Sequence, residues 1–322
     1  MRSKTRVTPQ SQGIARAIGR GHKRATTLGT TLARGVSQIF FQSGIGTGIL
    51  TLAALAMADW RMAVLALLGA TSSTLAGRLL RVPAPELRAG LQGFCGALVG
   101  AAAFSILQGR PLGYLVAVAG GTACAPLTAG VAWLFGRSPL KPLRLPPTTA
   151  PFCTVAVFIY WLTQSSHAGN AAADPQGSMA WQFGRSILTN ISQVVLVNSV
   201  PVGALLLAAL FVASWKAGAA ALLGSVVASA CALATHQDAA ELGRGLLGYS
   251  AVLTAIAMAA VFLQGRWQPW LMALAGALLT AVVTLLMHPL PGPVFTWPYV
   301  LTTWGLLAAV QLVPRLRQLR IP

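Results

Sequence analysis

Apolar residues run along this chain in long, nearly unbroken stretches, not in the alternating or striped patterns of a soluble fold. Such stretches recur from about Val36 to Val313, and several exceed the roughly 20 residues that carry a helix across a bilayer. They divide into ten segments. The first five fall near 36–58, 60–80, 87–107, 113–135 and 148–163, and the second five near 187–213, 215–235, 242–264, 267–287 and 296–313. Between the two groups, Thr163 to Ser186 is a polar stretch rich in Ser, Gly, Ala and Asn that reads as a linker.

The two groups echo one another. GLQGF over Gly90–Phe94 returns as GLLGY over Gly245–Tyr249, and SQ at Ser37–Gln38 returns at Ser192–Gln193. Both pairs stand 155 residues apart. Thr-Ala-Pro-Phe from Thr149 returns as Thr-Trp-Pro-Tyr from Thr296, 147 residues on. An odd number of spans per copy puts the second copy into the membrane upside down relative to the first. That arrangement sets the functional site where the copies meet, near the midplane. The predicted fold class is therefore an all-α membrane protein of two inverted five-span repeats. Proline in the paired Thr-x-Pro elements predicts short half-spanning or broken helices where the copies meet. A basic arm covers 1–35, the first repeat 36–163, an extracytoplasmic linker 164–186, the second repeat 187–313 and a basic tail 314–322.

Composition supports a membrane solvent: 55% of residues are hydrophobic and 9% are charged, against about 25% charged in soluble domains. The net charge of +18 changes the picture less than its size suggests. The cations gather in the arm, in alternate loops and in the tail, as the positive-inside rule requires for ten spans with both ends cytoplasmic. They form no single face for nucleic acid. The first ~30 residues lack an apolar signal core and read as a cytoplasmic arm, with an Arg-rich transit peptide as the alternative. Cys95, Cys124, Cys153 and Cys231 all lie in apolar segments without ligand spacing. They read as small buried hydrophobes, and no disulfide framework, metal site or cofactor is implied.

The five acids (Asp59, Glu86, Asp174, Asp238, Glu241) and four histidines all fall at loops or span ends. Ion-coupled carriers usually keep ionisable groups inside the membrane, and hydrolases need a paired acid and base; both classes lose ground here. Sodium coupling through backbone carbonyls stays open. Two amides, Gln38 and Gln193, lie inside apolar sequence. Each either bonds across helices or lines a pore, and their recurrence favours the pore. Thr149 and Thr296 each stand two residues before a proline, which frees carbonyl oxygens that must be satisfied. The result is either a packed kink or a ladder of acceptors. Phe94 with Leu98, Tyr249 with Leu253, and Gln38 with Phe41 each share a helix face.

Taken together, SQ-x-x-F at Ser37–Phe41, GL-x-G-[FY] in both copies and the paired T-x-P-[FY] elements resemble the urea transporter family over nearly all of the chain after about residue 35. The resemblance implies a homotrimer in the cell (inner) membrane, each protomer having its own pore. Gln38 and Gln193 would mark two outer urea sites. Phe41, Phe94 and Leu98, with Val194, Tyr249 and Leu253, would wall a narrow slot, and Thr149 and Thr296 would line its constriction. The implied function is passive, channel-type passage of urea by a protein that is not an enzyme. The sequence departs from the family at Gln42-Ser43-Gly44 and Asn198-Ser199-Val200, where Asn-Pro motifs are usual, and at Cys95, Ser250 and Tyr249. These departures keep a channel for another small neutral solute (a short amide, ammonia or water) as the alternative, and a sodium-coupled carrier as the lesser one.

Overall fold

A straight helix of 20 residues rises about 30 Å, the thickness of a bilayer core, so any break made by proline or glycine turns a spanning rod into pieces. The computed structural model describes residues 28–137, 139–166, 176–314 and 316–319. Most of the basic arm, the middle of the linker with Asp174, and part of the tail lie outside the described residues. Among the described residues the long elements are all helices. The first half holds α1 (Leu28–Phe40), α2 (Ile45–Ala58), α3 (Trp60–Leu79), α4 (Ala84–Arg88), α5 (Gly93–Leu107), α6 (Pro111–Phe135) and α7 (Ala150–Leu162). The second holds α8 (Met179–Gln193), α9 (Val200–Ala213), α10 (Trp215–Ala234), α11 (Ala239–Arg244), α12 (Tyr249–Phe262), α13 (Gln268–Met287) and α14 (Trp297–Leu312).

Four of these, α3, α6, α10 and α13, are each long and apolar enough to cross a membrane. The segment expected as one span over 36–58 is instead bent by 76° between α1 and α2. α5, α7, α9 and α12 are shorter apolar helices. The ten apolar segments are thus not ten equal rods, and the chain is a multi-pass membrane protein built from full, half and bent helices. Two boundaries shift. α8 begins at Met179, capped by the Ser178 hydroxyl, so the linker drawn to residue 186 takes in helix. α1 begins at Leu28, inside the segment drawn as arm. In both places polar residues sit in a helix whose packing outweighs a weak local pattern.

Element starts recur at the 155-residue offset: Ile45 with Val200, Trp60 with Trp215, Ala84 with Ala239. So do left-handed residues, Phe41 with Leu196 and Arg81 with His236. The caps match in geometry and differ in chemistry. Asp59 and Ser214, both at φ −163°, accept from the N–H of Arg61 and Ala217 and start α3 and α10. Hydrogen bonds from Arg61 also hold the Asp59 carboxyl below the usual carboxylate range.

Within each half a triad forms the scaffold. α3, α5 and α6 pack on one another, as do α10, α12 and α13. α3 and α5 come close at Gly69 and Gly96, where a Cβ on either would run into the carbonyl oxygen of the other. Backbones this near are the membrane answer to the missing hydrophobic drive between helices. The halves meet where α2 packs on α9 and α7 on α14. Trp60, Trp133, Trp215 and Trp267 are exposed at or beside helix ends, where amphipathic rings suit the headgroup zone.

Gly69→Leu should therefore break the α3–α5 seam at a cost of about 3 kcal/mol or more, seen as loss of a monodisperse peak in mild detergent. Gly130→Leu, on the exposed face of α6 with open space beside it, should leave that peak unchanged.

Candidate functional site

An amide nitrogen inside an apolar helix must find an acceptor, and Gln38 and Gln193 find equivalent ones. Gln38 Nε2 donates to the carbonyl of Ala89 at 3.1 Å, and Gln193 Nε2 to that of Arg244 at 2.9 Å. Each acceptor precedes a glycine in the left-handed region, Gly90 at φ 80° and Gly245 at φ 75°. The glycine turn after each acceptor aims the carbonyl at the helix that carries the glutamine, and at Gly90 a Cβ would strike the Gly35 backbone. Cross-helix bonding and cavity lining are both realised at Gln38, because it also lines a cavity of about 490 Å³. Gln193 is buried and lies outside that cavity.

The cavity belongs mainly to the first half. Phe41, Phe94 and Thr149 line it with Gln38, and Glu86 and Phe262 complete its rim and wall. Phe41 reaches it from a strained backbone: at φ 60° it closes the last tight turn of α1, with its N–H on the carbonyl of Gln38. Its ring lies 6.2 Å edge-on from Phe262 and 5.9 Å from Tyr299. Four of the ten expected site residues thus share one space. Leu98, one turn below Phe94, is buried in the core instead.

The second half is more closed. Val194, Tyr249 and Leu253 are all buried. The residue that stands where Phe41 stands is Leu196, at φ 63° and half-buried, with its N–H on the carbonyl of Gln193. Matching Gln38 to Gln193 by their common offset identifies Leu196, a signal that the local sequence SQVVL conceals. The Tyr249 hydroxyl donates to the carbonyl of Phe295.

The two halves touch at Thr149 and Thr296. Each is the residue before a short helix, α7 or α14, with proline in the first turn where no N–H is needed. Thr148 at φ 53° and Phe295 at φ 44° precede them. This left-handed backbone is costly for residues with a Cβ, and such strain gathers at functional sites. Neither threonine caps its own helix. Their hydroxyl oxygens instead lie 2.6 Å apart, and Cys153 Sγ is 3.0 Å from Thr296 Oγ1. Two helix N-termini therefore converge on one point with their positive ends. The nearby carbonyls are spoken for from within the protein: Pro146 by the Trp304 indole at 2.8 Å, Pro147 by the Thr148 hydroxyl at 2.7 Å, and Phe295 by Tyr249.

Sequence reasoning missed the bracing of the second half. Arg185, read as an outside-loop cation, lies in α8. Its Nε donates to the carbonyl of Gly243 at 3.0 Å and its Nη2 to Asn198 Oδ1 at 2.9 Å. It ties the break between α8 and α9 to the same turn that receives Gln193. Asn190 occupies the place of Gly35, and its Nδ2 donates to the hydroxyls of Ser225 and Ser229 at 3.0 and 2.9 Å. At this one position the first half has a glycine and the second a side chain; elsewhere Gly203, Gly224 and Gly245 bring backbones together in the second half as Gly48, Gly69 and Gly90 do in the first.

Comparison with known proteins adds a family-level result. The model of the family described as "Urea transporter" matches residues 30–311. "Urea transporter 1" of Rattus norvegicus is 29% identical over 293 residues, covering 84% of this chain and 74% of that protein. The proteins of the same name from Ovis aries and Mus musculus are each 28% identical, with the same coverage.

Removing the Tyr249 hydroxyl strands a buried carbonyl, so Tyr249→Phe should cost about 1 kcal/mol. The check is the thermal midpoint in detergent, followed with a thiol-reactive dye that reports exposure of the buried Cys95, Cys124 and Cys153.

Proposed function

The chain belongs to the urea transporter family, and we propose that it lets urea pass down its own gradient through a slot between two inverted halves. The observation that carries the reading is the meeting of Thr149 and Thr296 at the N-termini of two short helices, next to a cavity walled by Phe41 and Phe94. Urea is flat and neutral, with N–H donors on two arms and a carbonyl between. Aromatic walls admit a plate and reject a hydrated ion. The Thr149 and Thr296 hydroxyls stand in for its water as it moves.

The dipoles supply a second filter. Two positive helix ends aimed at one point disfavour any cation there, sodium and ammonium included. The ionisable groups support the same reading from outside the contact: Glu86 sits at the cavity rim, and Glu241 pairs with His288 at 3.2 Å. With no carboxylate at the threonine pair among the described residues to hold a coupling ion, flow follows the solute gradient. Gln38 and Gln193 mark the two approaches; Leu98, Val194, Tyr249 and Leu253 back the slot walls, and Leu196 joins them. The assembly is a homotrimer in the cell (inner) membrane with both termini cytoplasmic and one pore per protomer. It carries urea or a similar small amide and takes neither cofactor nor nucleic acid.

One observation favours a neighbouring substrate. The Tyr249 hydroxyl occupies the Phe295 carbonyl, so that side of the path offers one acceptor fewer. A solute with fewer N–H groups, such as acetamide, loses less from that than urea does.

Stopped-flow light scattering on proteoliposomes tests the proposal, with urea, acetamide, ammonia and water compared with and without a sodium gradient. Fast urea entry that ignores sodium is expected; entry that requires sodium would mean a coupled carrier. Thr149→Val and Thr296→Val keep shape and remove one hydroxyl each. Both should lower urea flux about tenfold while leaving the elution profile unchanged. Full flux in both variants would put the narrowest point elsewhere.

A further inference from the structure

A phenol hydroxyl sealed in a protein interior without a partner is uncommon, because nearly every buried polar group is hydrogen-bonded. Tyr299 is such a case. The residue is 0% exposed, and its hydroxyl has no hydrogen-bond partner among the described residues. The first half shows what packing alone requires there. The equivalent of Tyr299 after the Thr-x-Pro element is Phe152, fully buried against Phe295 with ring centroids 5.4 Å apart. A phenylalanine fills that place without an oxygen to satisfy. The other tyrosine of the site, Tyr249, has its hydroxyl bonded to the Phe295 carbonyl. Only Tyr299 of the two holds its proton in reserve.

Its position gives that proton a use. Tyr299 follows Thr296 by three residues, which puts both on one face of α14 a single turn apart. Its ring stands 5.9 Å from that of Phe41, which lines the cavity. Tyr299 is therefore one turn from Thr296 along the chain and in ring contact with the cavity wall. The other polar groups of this stretch are largely acceptors or already paired: the carbonyls of Pro146 and Pro147 receive bonds, and Thr149 and Thr296 bond to each other. Of the hydroxyls named here, those of Thr149, Thr296 and Tyr249 are bonded and that of Tyr299 is left to donate. A phenol O–H is a good donor to the carbonyl oxygen of a solute.

We propose that the Tyr299 hydroxyl donates to the carbonyl oxygen of the solute as it leaves the cavity for the threonine pair, making Tyr299 a specificity-determining residue for carbonyl-bearing solutes. The inference rests on the channel reading and adds a substrate class to it. Urea and short primary amides satisfy both the acceptors and this donor. Thiourea has the same outline but a sulfur that accepts poorly, and water has no carbonyl.

The test is Tyr299→Phe in proteoliposomes, with urea, acetamide, thiourea and water measured on one preparation and the thermal midpoint alongside. Urea and acetamide flux should fall about five- to tenfold, the loss of one hydrogen bond. Thiourea and water should change less than about twofold, and the thermal midpoint should hold or rise, since a buried unpaired hydroxyl is removed. An equal loss for all four solutes, or a lowered midpoint, would make the hydroxyl structural and overturn the proposal. Wild-type urea flux that Tyr299→Phe leaves untouched would sink it alone. A wild type that passes no urea would sink the channel reading as well.

Discussion

The bond between the Thr149 and Thr296 hydroxyls is the contact on which the rest of the arrangement depends. It joins residues 147 positions apart and pins the open ends of two short helices to each other. Neither helix is long enough to hold itself across a bilayer, so its first turn needs neighbours. α7 leans on α5 and α6, and α14 on α12 and α13. A carbonyl just before α7 is answered across the same boundary: the Trp304 indole, from α14, donates to Pro146. Backbone that would be intolerable in lipid becomes tolerable because each half completes the other.

The scaffold behind this contact reaches equivalent ends by different means. In the first half Gly69 and Gly96 let α3 and α5 touch backbone to backbone, and Gly35 and Gly90 do the same for α1. In the second, Asn190, Ser225, Ser229 and Ser186 form a chain of side-chain bonds between α8 and α10. Arg185 then ties Asn198 to the turn below Gln193. The second half keeps the close approaches at Gly203, Gly224 and Gly245 and adds these directed bonds, while the cavity lies beside Gln38 in the first.

Much of this could be read from the residues. The paired glutamines, the paired threonines and the aromatic after Gly-Leu-x-Gly all follow from two offsets. Those offsets survive because they mark positions where an amide or hydroxyl sits in apolar sequence. The family follows from the same motifs. The breaks were less legible. Nothing about Phe41 as a residue type announces φ 60°, and a run such as SQIFFQSGIGTG keeps its apolar average while bending by 76°. Leu196 stays hidden in SQVVL because the turn that aims it is a backbone property. The helical start at Met179 was hidden for the reverse reason: its polar residues look like linker until Ser178 is seen to cap them. Arg185 read as a loop charge because its partners, a carbonyl and an amide, lie far away in sequence.

Gln38 lines the cavity and Gln193 does not, and for the passive conduit proposed above that asymmetry has a bounded meaning. Detailed balance forbids a pore without an energy source from rectifying: at equal concentrations the two one-way fluxes are equal however lopsided the path. Uneven depth of the resting places is still felt far from equilibrium. A roomy antechamber on one side fills at a different concentration from a tight one on the other, so half-saturation read from the two faces of the membrane need not agree. In such a conduit direction belongs to the gradient, and the shape of the path governs only how soon each face becomes crowded.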